Sequence, residues 1–194
     1  MLDVPYPLQI FEWILLGIWG IFWSYWLITA WLNRSPVKRR QPFLFPLLPI
    51  IAVIIWIFVT TIFPELLFQQ MFPDSIVVSI AGTIITIFAL GFAIWARPHL
   101  GTNWSGQPII RMDHKLIRTG PYKIVRNPIY TGILIEFVGT AIVIGKFWAI
   151  IAILILFIAF FMKIRMEEKF LLEEFGEAYL KYKKEVKSLI PFIM

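Results

Sequence analysis

The chain contains no cysteine, which removes disulfides, a thiolate nucleophile and any cysteine-based metal site. Histidine is almost as scarce. His99 and His114 are the only two, and their separation fits neither an i,i+3 nor an i,i+4 metal pair, so no metal is expected. Charged residues make up only 15% of 194 positions, and no internal repeat is visible. What fills the sequence instead is apolar: 59% hydrophobic residues, 17% aromatics and a mean hydropathy of +0.79. That composition lies far from the soluble average and reads as an integral membrane protein. Crossing the bilayer consumes most of the chain, so a large soluble catalytic domain has no room.

The apolar residues fall into five runs. The first, residues 9–32, carries Glu12 as its one charge and is long enough for a tilted span. With Asp3 and no basic n-region before it, this run reads as a retained span rather than a cleaved signal peptide. The second, about residues 43–63, begins among Pro42, Pro46 and Pro49, which kink or interrupt its first turns. The third, residues 76–96, carries Ser79, Gly82, Thr86, Ala89 and Ala93 at alternating steps of three and four. In lipid, such a stripe lets a second helix approach closely. The fourth and fifth runs, residues 128–144 and 147–162, are separated only by Gly145-Lys146 and must form a tight antiparallel hairpin.

The formal charge of +6 suggests an anionic partner until its distribution is considered. Arg34, Lys38, Arg39 and Arg40 follow the first run. Arg97, Arg111, Lys115 and Arg118 face Asp113 alone in the segment after the third, whereas residues 64–74 hold Glu65 and Asp74 and no base. The positive-inside rule accounts for that pattern without nucleic acid. Five spans with the N-terminus outside and the C-terminus in the cytoplasm satisfy every loop. From Lys163 onward the chain becomes charged, and Leu171, Leu172, Phe175, Tyr179, Tyr182 and Val186 recur at helical spacing. This predicts an amphipathic helix on the membrane or the cytoplasmic loop, or a continuation of the fifth span into water. The expected fold is therefore all-α and integral to the membrane, with about five transmembrane helices and a C-terminal amphipathic cytoplasmic helix. Residues 1–96 form an N-terminal three-helix region, and residues 97–194 the catalytic region.

Polar chemistry gathers where the cytoplasmic surface meets the last two spans. Asn127-Pro128 is an N-cap followed by a first-turn proline. A helix start there, beside Arg126, presents N–H groups and partial positive charge to a carboxylate or phosphate. Glu167 and Glu168 are adjacent, so on a helix they point about 100° apart. Glu168 shares a face with Leu171, Leu172 and Phe175 and needs a cation there, supplied by Lys163, Arg165, a loop arginine or a cationic ligand. Glu136 is the one acid well inside a later span; it either pairs with another helix or lines a substrate cavity. Trp104, in the polar segment, is a candidate for packing on a flat ligand.

Leu100-Gly101 with Asn103-Trp104-Ser105, His114-Lys115-Leu116, Gly120-Pro121-Tyr122, Arg126-Asn127-Pro128 with Tyr130 and Gly132, Glu167-Glu168, and Phe175-Gly176 with Tyr179, Tyr182 and Pro191 occur in that order. Together they resemble the isoprenylcysteine carboxyl methyltransferases, integral membrane enzymes, over roughly residues 97–192. The resemblance implies S-adenosylmethionine held between the cytoplasmic loops and the membrane. It also implies a lipophilic or prenylated acceptor, such as an isoprenylcysteine-like carboxylate, arriving from the lipid. Carried over by motif, His114, Leu116, Gly120, Tyr122, Arg126, Asn127, Pro128, Tyr130, Glu167 and Glu168 frame the cofactor. Arg126, Lys163 and Arg165 become the candidate catalytic cations. The family most often has His where this chain has Asn127, which cannot titrate. A basic residue four positions before the glutamate pair is typically Arg and is Lys163 here, so the grip on an acceptor carboxylate differs.

Phospholipid N-methyltransferases and small-thiol S-methyltransferases share such motifs and remain alternatives. Membrane sterol reductases would need a nicotinamide cofactor, and no dinucleotide fingerprint is present. A transporter or scaffold subunit is the non-enzymatic alternative, disfavoured by the near absence of charge within spans and of paired broken helices.

Overall fold

The computed structural model describes residues 8–32, 37–39, 54, 57, 61–71, 74–101, 110–111 and 115–191. Six helices order this part of the chain: α1 (Gln9–Leu32), α2 (Pro64–Leu67), α3 (Ile76–Leu100), α4 (Pro128–Ile144), α5 (Phe147–Phe175) and α6 (Glu177–Glu185). Among the described residues α1, α3 and α5 are long and apolar enough to cross a membrane, and α4 is a shorter apolar helix of 17 residues. At 1.5 Å per residue α4 spans about 25 Å. Most of the second run lies outside the described residues. The all-helical expectation holds, with one small addition: Val37–Arg39 (β1) pairs antiparallel with Ile110–Arg111 (β2), because two segments following adjacent helix ends meet and satisfy each other's backbone groups.

Helices α3 and α4 form the tightest pair. Ser79, Gly82, Thr86, Ala89 and Ala93 are all buried, as the small-residue stripe predicts. A Cβ added at Gly82 would lie 2.7 Å from the Gly139 carbonyl oxygen, and one at Gly132 would lie 2.8 Å from the Ala93 Cβ. The two backbones are in van der Waals contact, which replaces the hydrophobic drive that lipid does not supply. Thr83 and Thr86 turn their hydroxyls back to the Ser79 and Gly82 carbonyls at 2.8 and 2.9 Å, so both buried hydroxyls are satisfied within their own helix. Helix α1 lies across this pair through Leu15, Ile18, Phe22 and Trp26, which cluster with Leu90, Ala93, Ala96 and Ile129. The Trp19 indole N–H donates to the Thr140 hydroxyl at 3.1 Å. Glu136, on α4, is fully buried, and its carboxylate oxygens have no hydrogen-bond partner among the described residues.

The two ends of the bundle differ. At one, α4 closes on Gly145 in the left-handed region (φ 65°, ψ 14°), a conformation only glycine adopts freely. The tight hairpin expected at Gly145-Lys146 is present. It is stitched to the α2 side by Met71 N–H to the Gly145 carbonyl (2.7 Å) and Phe147 N–H to the Gln69 carbonyl (3.2 Å). At the other end Arg97 is 1% exposed and donates to the Gly101 and Thr29 carbonyls, joining the C-termini of α3 and α1. Of the two readings of the chain after residue 162, continuation of the fifth span is found: α5 runs on to Phe175, and the short helix α6 follows it. The composition changes after residue 162, yet Lys163 to Phe175 retain good helix formers, and the helix breaks only at Gly176.

Candidate functional site

The polar end of the bundle is built on residues 120–131. A 3₁₀ turn, Gly120–Lys123, brings Gly120 against the His99 ring so closely that any Cβ there would collide with its Nε2. The chain then enters α4 at Asn127-Pro128. Asn127 occupies the N-cap position, but its side chain makes no capping bond. It reaches across instead: Asn127 Nδ2 donates to the Ser188 hydroxyl (3.0 Å) and carbonyl (3.2 Å). Arg126 N–H donates to the Lys187 carbonyl at 2.7 Å, Asn127 N–H to the Ser188 carbonyl at 3.0 Å, and the Thr131 hydroxyl to the Leu189 carbonyl at 2.8 Å. Residues 186–189 thus form an extended strap over the start of α4, with Val125 and Lys187 in parallel pairing.

The glutamate pair diverges as helical geometry dictates. Glu168 turns to the strap: Arg126 Nη2 and Nε donate to its Oε1 at 2.5 and 3.2 Å, and Lys183 Nζ to its Oε2 at 2.7 Å. The remaining Arg126 nitrogen, Nη1, donates to the carbonyls of Lys183 (3.2 Å) and Val186. Every guanidinium nitrogen is therefore occupied, and the pair is nearly dehydrated, with side-chain exposures of 7% and 9%. Of the partners weighed for Glu168, the loop arginine is the one found; Lys183 joins it from α6.

Glu167 faces a different cluster. The Tyr130 hydroxyl donates to both carboxylate oxygens at 2.9 and 3.0 Å, and Lys163 Nζ lies 4.0 Å away, 5.2 Å from the Tyr130 ring centroid. Tyr122 lies close by, and burial, with the Glu167 carboxylate near it, pushes its phenol well above the usual tyrosine range. Burial also pushes Tyr182 up to about 12, so it stays a neutral donor; its hydroxyl reaches the Tyr122 carbonyl at 2.6 Å. Two residues from Lys163, Arg165 points to the opposite side of α5 and stacks over Phe161 at 4.9 Å. There it borders a cleft of about 260 Å³ with Arg126, Glu168, Lys183 and Lys187. Pro128 is buried beneath the strap and Leu116 is half-buried, whereas His114 and Trp104 lie outside the described residues.

Residues 77–178, more than half of the chain, match the family described as phospholipid methyltransferase. The chain belongs to that family. Among its relatives, the protein-S-isoprenylcysteine O-methyltransferase of Schizosaccharomyces pombe is 39% identical over 82 residues, covering 42% of this chain and 35% of that protein. The Xenopus laevis protein-S-isoprenylcysteine O-methyltransferase is 26% identical over 197 residues, covering 96% of this chain and 66% of its own length. The solved eukaryotic intramembrane Ras methyltransferase superposes with a TM-score of 0.57 at 26% identity, over 80% of this chain and 55% of that one. These likenesses bear out the resemblance to isoprenylcysteine carboxyl methyltransferases. The chain spans about a third of the first relative's length. Within this family member, the strap and Lys183 carry no sequence signal beyond the helical phase that puts Lys183 beside Tyr179 and Tyr182. The strap acts through contacts some 60 positions away, and Lys183 through one with Glu168, 15 positions away on a different helix.

Proposed function

We propose that this protein is an integral membrane methyltransferase that moves a methyl group from S-adenosylmethionine to a lipophilic acceptor, an isoprenylcysteine-like carboxylate. The observation that carries the reading is the Tyr130–Glu167–Lys163 cluster, a carboxylate and a cation beside two aromatic phenols at one end of the helices. Glu167 and the Tyr130 ring suit the donor's ammonium and sulfonium, and Lys163 suits the acceptor's carboxylate. His114, Leu116, Gly120, Tyr122, Asn127 and Pro128 complete the wall on this reading. Arg126 and Glu168, which satisfy each other, hold the site's frame. When bound, S-adenosylmethionine supplies an electrophilic methyl that leaves a neutral thioether as the acceptor oxygen bonds to it. A carboxylate acceptor needs no general base, so the chain's part is to position the partners and exclude water.

Five spans, with residues 43–63 as the second and α4 as the fourth, an outside N-terminus and a cytoplasmic C-terminus, complete the proposal. Helix α6 then lies at the cytoplasmic surface, residues 97–194 form the catalytic region, and residues 1–96 its support. The test is transfer of labelled methyl in lipid to three acceptors: a farnesylcysteine analogue, phosphatidylethanolamine and a small thiol. Preferred labelling of the farnesylcysteine carboxylate is expected. Preferred labelling of the amine or the thiol would replace the acceptor class, the thiol being the reaction named for a Bradyrhizobium diazoefficiens relative, a methanethiol S-methyltransferase.

A further inference from the structure

The cleft on the far side of Glu168 is not used in the reaction as proposed, because Arg165, expected beside Lys163 as a catalytic cation, stacks over Phe161 and lines this cleft instead. Lys163 and Arg165 are two residues apart and so point roughly 160° from each other on α5. The cleft is bounded by Arg165, Lys183 and Lys187, with the Arg126–Glu168 pair behind them and Phe161 and Ile164 on the bilayer side. Its one acid, Glu168, is already met by two cations, Arg126 and Lys183. Neither Arg165 nor Lys187 makes an ion pair among the described residues. The net positive charge is therefore uncompensated.

A second feature leads into it. Leu154, Ile158, Phe161 and Arg165 recur along α5 at steps of four, three and four, and the three apolar members are 55%, 57% and 38% exposed. Together they make an apolar track that ends in a guanidinium, and the contact of Arg165 with the Phe161 ring holds that charge at the border between the two. We propose that this cleft binds the phosphate of an anionic phospholipid whose acyl chains lie along the Leu154–Ile158–Phe161 track. A volume of about 260 Å³ admits a phosphodiester headgroup but not a whole lipid, consistent with chains lying outside on the helix. A zwitterionic headgroup is disfavoured because its cationic end would meet the same lysines and arginines.

The experiment uses the full chain purified in a neutral detergent, titrated with dioleoylphosphatidylglycerol, dioleoylphosphatidylcholine or water-soluble glycerol 3-phosphate. Binding is read by native mass spectrometry and by the rise in Tm. Two charge-matched variants are compared: Arg165→Ala/Lys187→Ala in the cleft, and Lys181→Ala/Lys184→Ala on exposed positions of α6. Phosphatidylglycerol is expected to bind the unaltered protein in preference to phosphatidylcholine. Its affinity should fall about tenfold in the cleft variant and hold in the α6 variant. The proposal is overturned if phosphatidylglycerol binds no better than phosphatidylcholine, or if both variants weaken equally, which would mean diffuse surface charge. It is equally overturned if glycerol 3-phosphate raises Tm as much as the lipid, which would make the ligand a free phosphate. All four substituted residues are exposed and the cleft pair makes no ion pair, so folding is not at issue. A single Arg165→Gln variant should show the same direction with half the charge removed.

Discussion

Arg126 and Lys123 are three residues apart and equally basic, yet only one is embedded. Arg126 joins a carboxylate and two backbone carbonyls from three directions, whereas Lys123 is exposed. Arg126→Lys keeps the charge and loses the fork, leaving Glu168 and the strap carbonyls underserved. A loss of about 3 kcal/mol in stability is expected, with most methyl transfer lost, while Lys123→Ala keeps both. Equal Tm and equal labelling of the two variants would show that the arginine does no more than set topology. Glu167→Gln retains the Tyr130 contact but removes the negative charge. It should weaken S-adenosylmethionine binding about tenfold, near 1.4 kcal/mol, with little change in Tm; unchanged affinity by calorimetric titration would remove Glu167 from the donor site. Glu136 poses the opposite case. A fully buried carboxyl without a described partner costs free energy, so Glu136→Leu should raise Tm and leave transfer intact. A fall in transfer at equal or higher Tm would show instead that this carboxyl lines the acceptor's path.

At the level of helices, the α3–α4 seam turns on absent side chains. Gly139→Leu would drive a side chain into Thr86 and the Gly82 backbone, and overpacking of that kind costs about 1–3 kcal/mol. Gly91 has open space around it, so Gly91→Leu should leave Tm nearly unchanged; comparable losses from both would show that the seam is not where the helices touch. This seam was legible in the sequence because a stripe of small residues has a period, and the limits of α4 were legible because Asn-Pro and Gly punctuate them chemically. For the C-terminal part of α5 the sequence left two readings open, a separate surface helix or a continuation into water. A drop in hydropathy at residue 163 marks where lipid ends, and the backbone hydrogen bonds of a helix are indifferent to that boundary. The strap, Lys183 and the β1–β2 pair were not legible. The strap and the β1–β2 pair join irregular segments about 60 residues apart or more, and Lys183 meets Glu168 across the helix break at Gly176; neither periodicity nor capping chemistry encodes such meetings.

Across the whole molecule, the polar groups sort to one end and the Gly145 hairpin with α2 to the other, which makes topology testable on a chain that has no thiol of its own. A single Cys at position 184 should react with a membrane-impermeant maleimide only from the cytoplasmic side, and one at position 65 only from the other; a reversed pattern would place the Tyr130–Glu167 cluster where no cytosolic cofactor reaches it. The strap also sets an order of events in time. Arg126 meets Glu168 42 residues later and the Thr131 hydroxyl already has the Asn127 carbonyl, but Asn127 gains its Ser188 partners, and Arg126 and Thr131 their strap carbonyls, only once residues 186–189 exist, some 60 codons later. At about 5–20 residues per second that is a wait of roughly 3 to 12 seconds. During it the start of α4 sits at the membrane with the Asn127 amide unserved and Arg126 short of its strap carbonyl. A nascent chain stalled before residue 186 is therefore inserted yet unfinished at its most polar point.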